Sequence, residues 1–274
     1  MEERMDSDLV AAIQMTSTAD RARNLATALR LVNEAAELGA RLIALPENFA
    51  FMGPDPDRCA GAEPVEGPTI AALQQVARRR EVHILAGSIA EQVAEPGKTS
   101  NTSVLIGRDG AVAAIYRKIH LFDATLPDGE RYAESATVLA GDRTTVALAD
   151  TPVGRVGLSI CYDLRFPELY RGLSILGAEI LCVPSAFTVF TGRDHWEVLL
   201  RARAIENQCW VLAPAQVGQH GPGRETYGNA MLVDPWGQVL ARCSGGEGVC
   251  VARFDRARLE QVRRTLPALR HRRI

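Results

Sequence analysis

The chain has 274 residues, 47% of them hydrophobic and 23% charged, with a formal net charge of -2. That length buries a substantial core, and the near-neutral balance offers no basic field for nucleic acid or an anionic membrane. No apolar run reaches membrane-spanning length, and Met1-Glu2-Glu3-Arg4-Met5-Asp6 lacks the basic-then-apolar order of a signal peptide, so a cytoplasmic protein is expected.

In chain order, Asp8 to Met15 reads as a strand entering a core. Asp20 to Leu38 carries Leu25, Leu29, Val32 and Ala36 on one helical face, and Gly39 is its stop. Arg41 to Leu45 is a short apolar strand that runs into Pro46-Glu47-Asn48-Phe49. Strand, helix, strand in that order predicts a layered α/β domain with a crossover connection, and ligands then bind at the carboxyl ends of the strands. Phe51 to Pro68, rich in proline and glycine, is expected to form a lid or rim. A helix over Thr69–Arg80 and a strand over His83–Ser88 follow. Strands over Thr102–Ile106 and Ala111–Tyr116 flank Asp109-Gly110, a strong hairpin signal, and Lys118 comes directly after them.

Asp123 to Gly141 reads as irregular. Strands near Thr144–Leu148 and Arg155–Ile160 lead to Cys161, and a helix over 166–177 ends at Gly177. A strand over Glu179–Val183, a helix over His195–Asn207 and a strand over Cys209–Pro214 come next. Gln216 to Gly228 is glycine-rich without the spacing of a phosphate-cradling loop, and reads as a loop on the ligand side or the surface. Two strands flank Asp234-Pro235-Trp236-Gly237, and Gly248–Phe254 and a helix over Asp255–Leu266 follow. No composition shift marks a boundary, so residues 1–274 are expected to form a single domain with a two-sheet core.

Six cysteines are scattered with no C-x-x-C pair, and five histidines show no metal-ligand spacing. Reduced thiols, no metal and no cofactor are expected. Of the 31 basic residues, only Lys98 and Lys118 are lysines. In so arginine-rich a chain, a lysine marks a place where a compact point charge serves and a broad guanidinium does not.

Cys161 ends the apolar run Val156-Gly157-Leu158-Ser159-Ile160, and Phe166-Pro167 opens a helix just beyond it. Nearby amides at a helix start are expected to lower its thiol pKa. A lone cysteine in such a place is more often a small buried residue than a nucleophile, so partners decide. Two other strands end in the same way, with a reactive side chain directly after them: Leu45-Pro46-Glu47-Asn48 and Tyr116-Arg117-Lys118-Ile119-His120.

Together these three segments resemble the Glu, Lys and Cys motifs of the nitrilase, or carbon–nitrogen hydrolase, superfamily. Pro184-Ser185-Ala186-Phe187, the stretch His195–Glu206 and Val233-Asp234-Pro235-Trp236-Gly237 extend the resemblance toward its Nit branch. The resemblance implies an α/β fold, a four-layer αββα sandwich, in a homodimer or higher homo-oligomer. It implies Cys161 as nucleophile, Glu47 as general base, and Lys118 with the backbone N–H of Tyr162 as oxyanion donors. Glu134 is implied as a supporting acid that positions Lys118 and the substrate, and Phe122, Arg165, Phe187 and Thr188 as substrate-binding residues.

These residue types suit amide hydrolysis. A thiol forms a thioester that water resolves, a carboxylate shuttles the proton both ways, and a fixed ammonium stabilises charge that develops only in the transition state. The substrate implied is a small amide bearing carboxylates, foremost deaminated glutathione, split to 2-oxoglutarate and cysteinylglycine. Action on 2-oxoglutaramate or succinamate is the alternative within the chemistry, and a non-catalytic binding or scaffold protein the alternative outside it. Tyr227-Gly228-Asn229-Ala230 departs from the Tyr-Gly-His-Ser usual in the branch, which bears on pocket polarity at Asn229. The chain also stops at Ile274, short of the tail often found in the family.

Overall fold

Alternation along the apolar strands decides the layering. In Leu9–Met15, Val10 and Ala12 enter one buried cluster while Ala11, Ile13 and Met15 enter another. The same split recurs in Leu42–Ala44, where Leu42 and Ala44 oppose Ile43, and in His83–Gln92, where Leu85 opposes Ile84 and Ala86. Strands apolar on both faces must be covered twice. Helices Arg21–Glu37 and Pro68–Arg80 cover one face through Ala28, Leu31, Ile70 and Leu73. A second sheet covers the other, through Val156, Leu158, Ile180 and Leu212.

A computed structural model describes residues 9–127, 129–142, 144 and 146–274, and among these the first sheet has nine strands and the second six. Helices Pro167–Ile175 and Glu197–Asn207 close the outer face of the second sheet with Tyr170, Leu173, Leu200 and Ala204. The order helix, sheet, sheet, helix is the expected αββα sandwich. In the first sheet Val10 pairs with Leu42 and Leu42 with His83, all parallel. In the second, Val156 pairs with Ile180 and Ile180 with Trp210, also parallel. Parallel neighbours bring their carboxyl ends to one edge, so the residues that follow them collect there.

The structure departs from the sequence reading in several places. The buried stripe of the first helix is Asn24, Ala28, Leu31, Val32 and Ala35, turned from the expected Leu25, Leu29, Val32 and Ala36. Asn24 faces inward because its amide donates to the carbonyls of Thr18 at 2.7 Å and Ala50 at 3.0 Å. The strand expected near Thr144–Leu148 lies at Leu148–Thr151, antiparallel to Gly154–Leu158, and Thr145 is outside the described residues. Asp8 of the first expected strand is also outside them.

Asp123 to Gly141 is partly regular: Asp123–Thr125 and Arg131–Ala133 form a two-stranded ribbon. Three-residue strands are too short to show a period. Gln216 to Gly228 is mostly a hairpin, Ala215–Gly221 against Arg224–Tyr227, with Gly218, Gly221 and Gly223 at positive φ hiding its alternation. The proline- and glycine-rich Phe51–Pro68 holds a short helix, Asp55–Ala60.

Gly87 sets the approach between two of these strands. A Cβ there would lie 2.0 Å from the carbonyl oxygen of Pro46 and 2.3 Å from that of Leu45. Both atoms are backbone of the segment that carries Glu47, so a side chain at 87 must push that segment away. Gly87→Ala is expected to cost about 1–3 kcal/mol and to lower Tm by roughly 5 °C in a thermal melt. The activity that the resemblance implies should fall by more than the loss of folded protein explains.

Candidate active site

Glu47, Lys118 and Cys161 each leave the end of a strand, and the fold brings them to one edge of the sandwich. Glu47 and Lys118 come from the first sheet and Cys161 from the second. Lys118 is 2% exposed, yet it is an ammonium. A buried charge survives only when paired and hydrogen-bonded. Its Nζ donates to Glu47 Oε1 at 3.0 Å and to Glu134 at 3.1 Å (Oε1) and 2.9 Å (Oε2). Burial works against this charge, but the carboxylates of Glu134 and Glu47 outweigh it and hold the ammonium pKa above its ordinary value.

Glu134 answers the same pairing. Burial opposes its ionisation, and the charge of Lys118, with hydrogen bonds from Lys118, the Phe122 amide and Asn101, holds its carboxyl below the usual range. The Phe122 N–H donates to Glu134 Oε2 at 2.7 Å. Asn101 bridges both acids: its Nδ2 donates to Glu47 Oε1 at 2.9 Å and Glu134 Oε1 at 3.2 Å. Sequence reasoning missed Asn101. It lies in the polar run Thr99-Ser100-Asn101-Thr102-Ser103, which is wholly buried although its composition suggests an exposed strand.

The second oxygen of Glu47 reaches across to the other sheet, where the Ala186 N–H donates to Oε2 at 2.9 Å. Cys161 sits at the start of a 3-10 turn over Cys161–Arg165, with φ of 48° and its N–H donating to Pro184 O at 2.9 Å. A non-glycine residue in that left-handed region stores strain of order 1–3 kcal/mol, and such strain clusters at functional sites. The strain is held by Asp163, which is fully buried. Its carboxylate accepts from Ile160 N at 2.8 Å, Tyr116 OH at 2.7 Å and His120 N at 3.2 Å. One side chain thus ties the turn bearing Cys161 to the segment bearing Lys118.

The thiol departs from expectation. Burial first, and then the neighbouring Glu47 carboxylate, push its pKa well above the ordinary cysteine value, while Lys118 pulls the other way. The short turn supplies too little helix field to offset loss of water and a nearby negative charge. Cys161 is therefore favoured as a neutral thiol beside a carboxylate.

A cavity of about 400 Å³ opens above these groups, lined in part by Glu47, Lys118, Phe122, Glu134, Cys161 and Thr188. The segment Phe51–Arg58 forms part of its rim, as expected of that loop, and the hairpin residues Gly223–Thr226 form another part. A narrower pocket of about 20 Å³ adjoins it, sharing Phe122, Cys161 and Thr188 and adding Tyr162, Arg165 and Phe187. Arg165 lies over the rings of Tyr162 and Phe187, at 5.8 and 5.4 Å from the centroids, and its Nη1 is 3.1 Å from His195 Nδ1. All the expected site residues thus meet at the two cavities. The Tyr162 N–H lies in the first turn of the 3-10 segment, where amides have no intrahelical acceptor. Asn229 is not part of either lining; its φ is 61° and its side chain donates to Tyr227 O at 3.0 Å. Among the described residues no cluster of three or more His, Cys, Asp or Glu is arranged to hold a metal ion. No helix among them is long and apolar enough to cross a membrane.

The sequence profile of the carbon-nitrogen hydrolase family matches residues 9–264. The chain belongs to that family and is a hydrolase of carbon–nitrogen bonds. A curated relative from Synechocystis sp., named deaminated glutathione amidase, is 49% identical over 265 residues, 96% of this chain and 97% of its own length. Among solved structures, the NitFhit protein of C. elegans superposes with a TM-score of 0.89 at 40% identity, over 97% of this chain and 65% of that one. Saccharomyces cerevisiae Nit3, a member of branch 10 of the nitrilase superfamily, superposes with a TM-score of 0.86 at 30% identity, over 97% of this chain and 96% of that one.

The raised thiol carries a signed consequence. Because the neutral form is favoured, alkylation of Cys161 by iodoacetamide should keep rising with pH beyond about 8.5, where an ordinary cysteine is half ionised. Glu47→Gln removes the nearby negative charge and leaves Lys118, so the midpoint should move down. Peptide-level mass spectrometry of the alkylated protein reads both curves, and an unmoved or higher midpoint in the variant contradicts the assignment of cause.

Proposed function

We propose that the protein is a cofactor-independent amidase that uses Cys161 as nucleophile and hydrolyses deaminated glutathione to 2-oxoglutarate and cysteinylglycine. One observation carries this reading: a thiol, a carboxylate and an ammonium, all buried, converge on a cavity of about 400 Å³, a volume within the range of small-molecule sites. The name of the Synechocystis relative supports the choice of substrate.

In the proposed reaction Glu47 takes the thiol proton as Sγ adds to the amide carbonyl carbon. The carbonyl electron pair moves onto oxygen, where the Lys118 ammonium and the Tyr162 N–H stabilise it. One such donor is worth roughly 3–4 kcal/mol of barrier. Collapse expels the amine, which leaves with the proton held by Glu47, and a thioester remains on Cys161. Glu47 then deprotonates a water that attacks the thioester, and the proton returns to the sulfur as the acid departs. One water is consumed, and one acid and one amine are released. The resting thiol is neutral, so the carboxylate base is indispensable to this sequence. Glu134 holds the lysine charge in place, and Arg165, Phe122, Phe187 and Thr188 contact the acyl half of the substrate.

The protein is also read as a homodimer in a reducing, cytoplasmic setting. Val198 and Ile205 are 66% and 49% exposed on the outer helix layer, with Trp236 at 50% on the adjoining turn, a group of apolar side chains that a second copy would cover. The six cysteines are free and five of them are buried, which supports the compartment.

Two measurements test the reading. Cys161→Ala should abolish turnover with an unchanged circular dichroism spectrum; activity at the wild-type level removes the nucleophile assignment. The wild-type kcat/KM should be higher for deaminated glutathione than for 2-oxoglutaramate, and the reverse order replaces the substrate.

A further inference from the structure

The larger cavity has charge to spare on its rim. Of its acids, Glu47 and Glu134 are committed to Lys118, and Asp55 to Arg58 at 3.0 Å. Glu130 accepts from the Tyr132 hydroxyl. Two further arginines line the same space: Arg131, on the ribbon strand that leads into Glu134, and Arg224, on the hairpin. Both are exposed, and neither guanidinium has a hydrogen bond or ion pair among the described residues. Glu225 is the one acid of the rim without a partner among them. The Tyr132 hydroxyl does not neutralise Glu130, so the mouth presents two guanidiniums without an ion pair among the described residues, beside the carboxylates of Glu130 and Glu225.

The hairpin that presents Arg224 is anchored. Thr226, two residues on, is buried and 2.6 Å from His220 Nε2, and His220 Nδ1 is 2.7 Å from the carbonyl of Ser17. Burial lowers the His220 pKa to about 4, so this link stays neutral and intact across the physiological range. Arg131 is held from the other side by backbone pairing with Thr125. Two arginines on separate, pinned elements can grip a carboxylate in a fixed place.

The division of space says which half of the substrate they meet. The narrow pocket beside Cys161 holds Arg165 and has about 20 Å³, room for the end of an acyl chain. The chamber of about 400 Å³ also reaches the thiol, sharing Phe122, Cys161, Ala186 and Thr188 with the narrow pocket, and most of it would be idle if the leaving group were ammonia. We propose that Arg131 and Arg224 clamp the terminal carboxylate of the leaving peptide, making the enzyme selective for amides whose amine half ends in a free acid. This rests on the substrate reading above and sharpens it.

Steady-state kinetics on the full chain test the clamp, comparing deaminated glutathione with the same compound carrying a C-terminal carboxamide and following release of 2-oxoglutarate. The wild-type enzyme should favour the free acid by roughly five- to ten-fold in kcat/KM, mainly through KM, the range for partly exposed charge pairs. In Arg131→Gln and Arg224→Gln that preference should move toward one, and Arg224→Lys should retain part of it. A preference equal to wild type in both Gln variants, or none in the wild type, overturns the clamp and leaves the amidase reading standing. A wild-type enzyme that cleaves neither compound overturns both.

Discussion

The structure depends on keeping one ammonium charged inside protein. Lys118 has almost no contact with water, and its charge is met by two carboxylates that arrive from different segments. Neither acid is self-sufficient: both share the amide of Asn101, one takes the N–H of Phe122 and the other that of Ala186. Withdrawing Lys118 would leave two buried carboxylates without their cation, which is far more costly than never having buried the groups. The ends of several strands are consequently tied together by electrostatics rather than by apolar packing.

That cluster also explains why Cys161 is favoured as a thiol. Glu47 and Glu134 already outnumber the single lysine charge, so a third anion would go unmatched and the interior tolerates a proton on sulfur more readily than its loss. Proton transfer to Glu47 relocates negative charge within the cluster without adding to it. Arginine in place of the lysine would bring a planar fork where three short contacts converge on one nitrogen. The scarcity of lysine in this chain thus has a local reason at position 118.

Much of this was legible in the sequence, for reasons that can be stated. Strands buried on both faces leave unbroken apolar runs, and Glu47, Lys118 and Cys161 interrupt such runs at once. Their chemistry stands out because a polar residue there has no packing role. Asn101 could not be seen, since it hides among threonines and serines in a strand buried despite its polarity. Asp163 carries no signal of its own in the sequence, because its hold on Tyr116 and His120 depends on contacts more than 40 residues apart. The hairpin around Arg224 was read as a loop because its glycines break the two-residue rhythm, and the thiol pKa was read with the wrong sign because burial is not visible in a short motif.

The site straddles the seam between the two sheets, with Glu47 and Lys118 on one and Cys161 on the other. Asp163 and the Ala186 amide are among the few polar ties across that seam. Elsewhere along it the spacing is set by the volume of side chains such as Leu85, Leu105, Leu158 and Leu212. Catalytic alignment in this enzyme is therefore a matter of interlayer thickness. A drifting sequence can trade apolar residues freely within one sheet's helix-facing side, while the facing inner surfaces must change together or leave base and sulfur out of reach of each other.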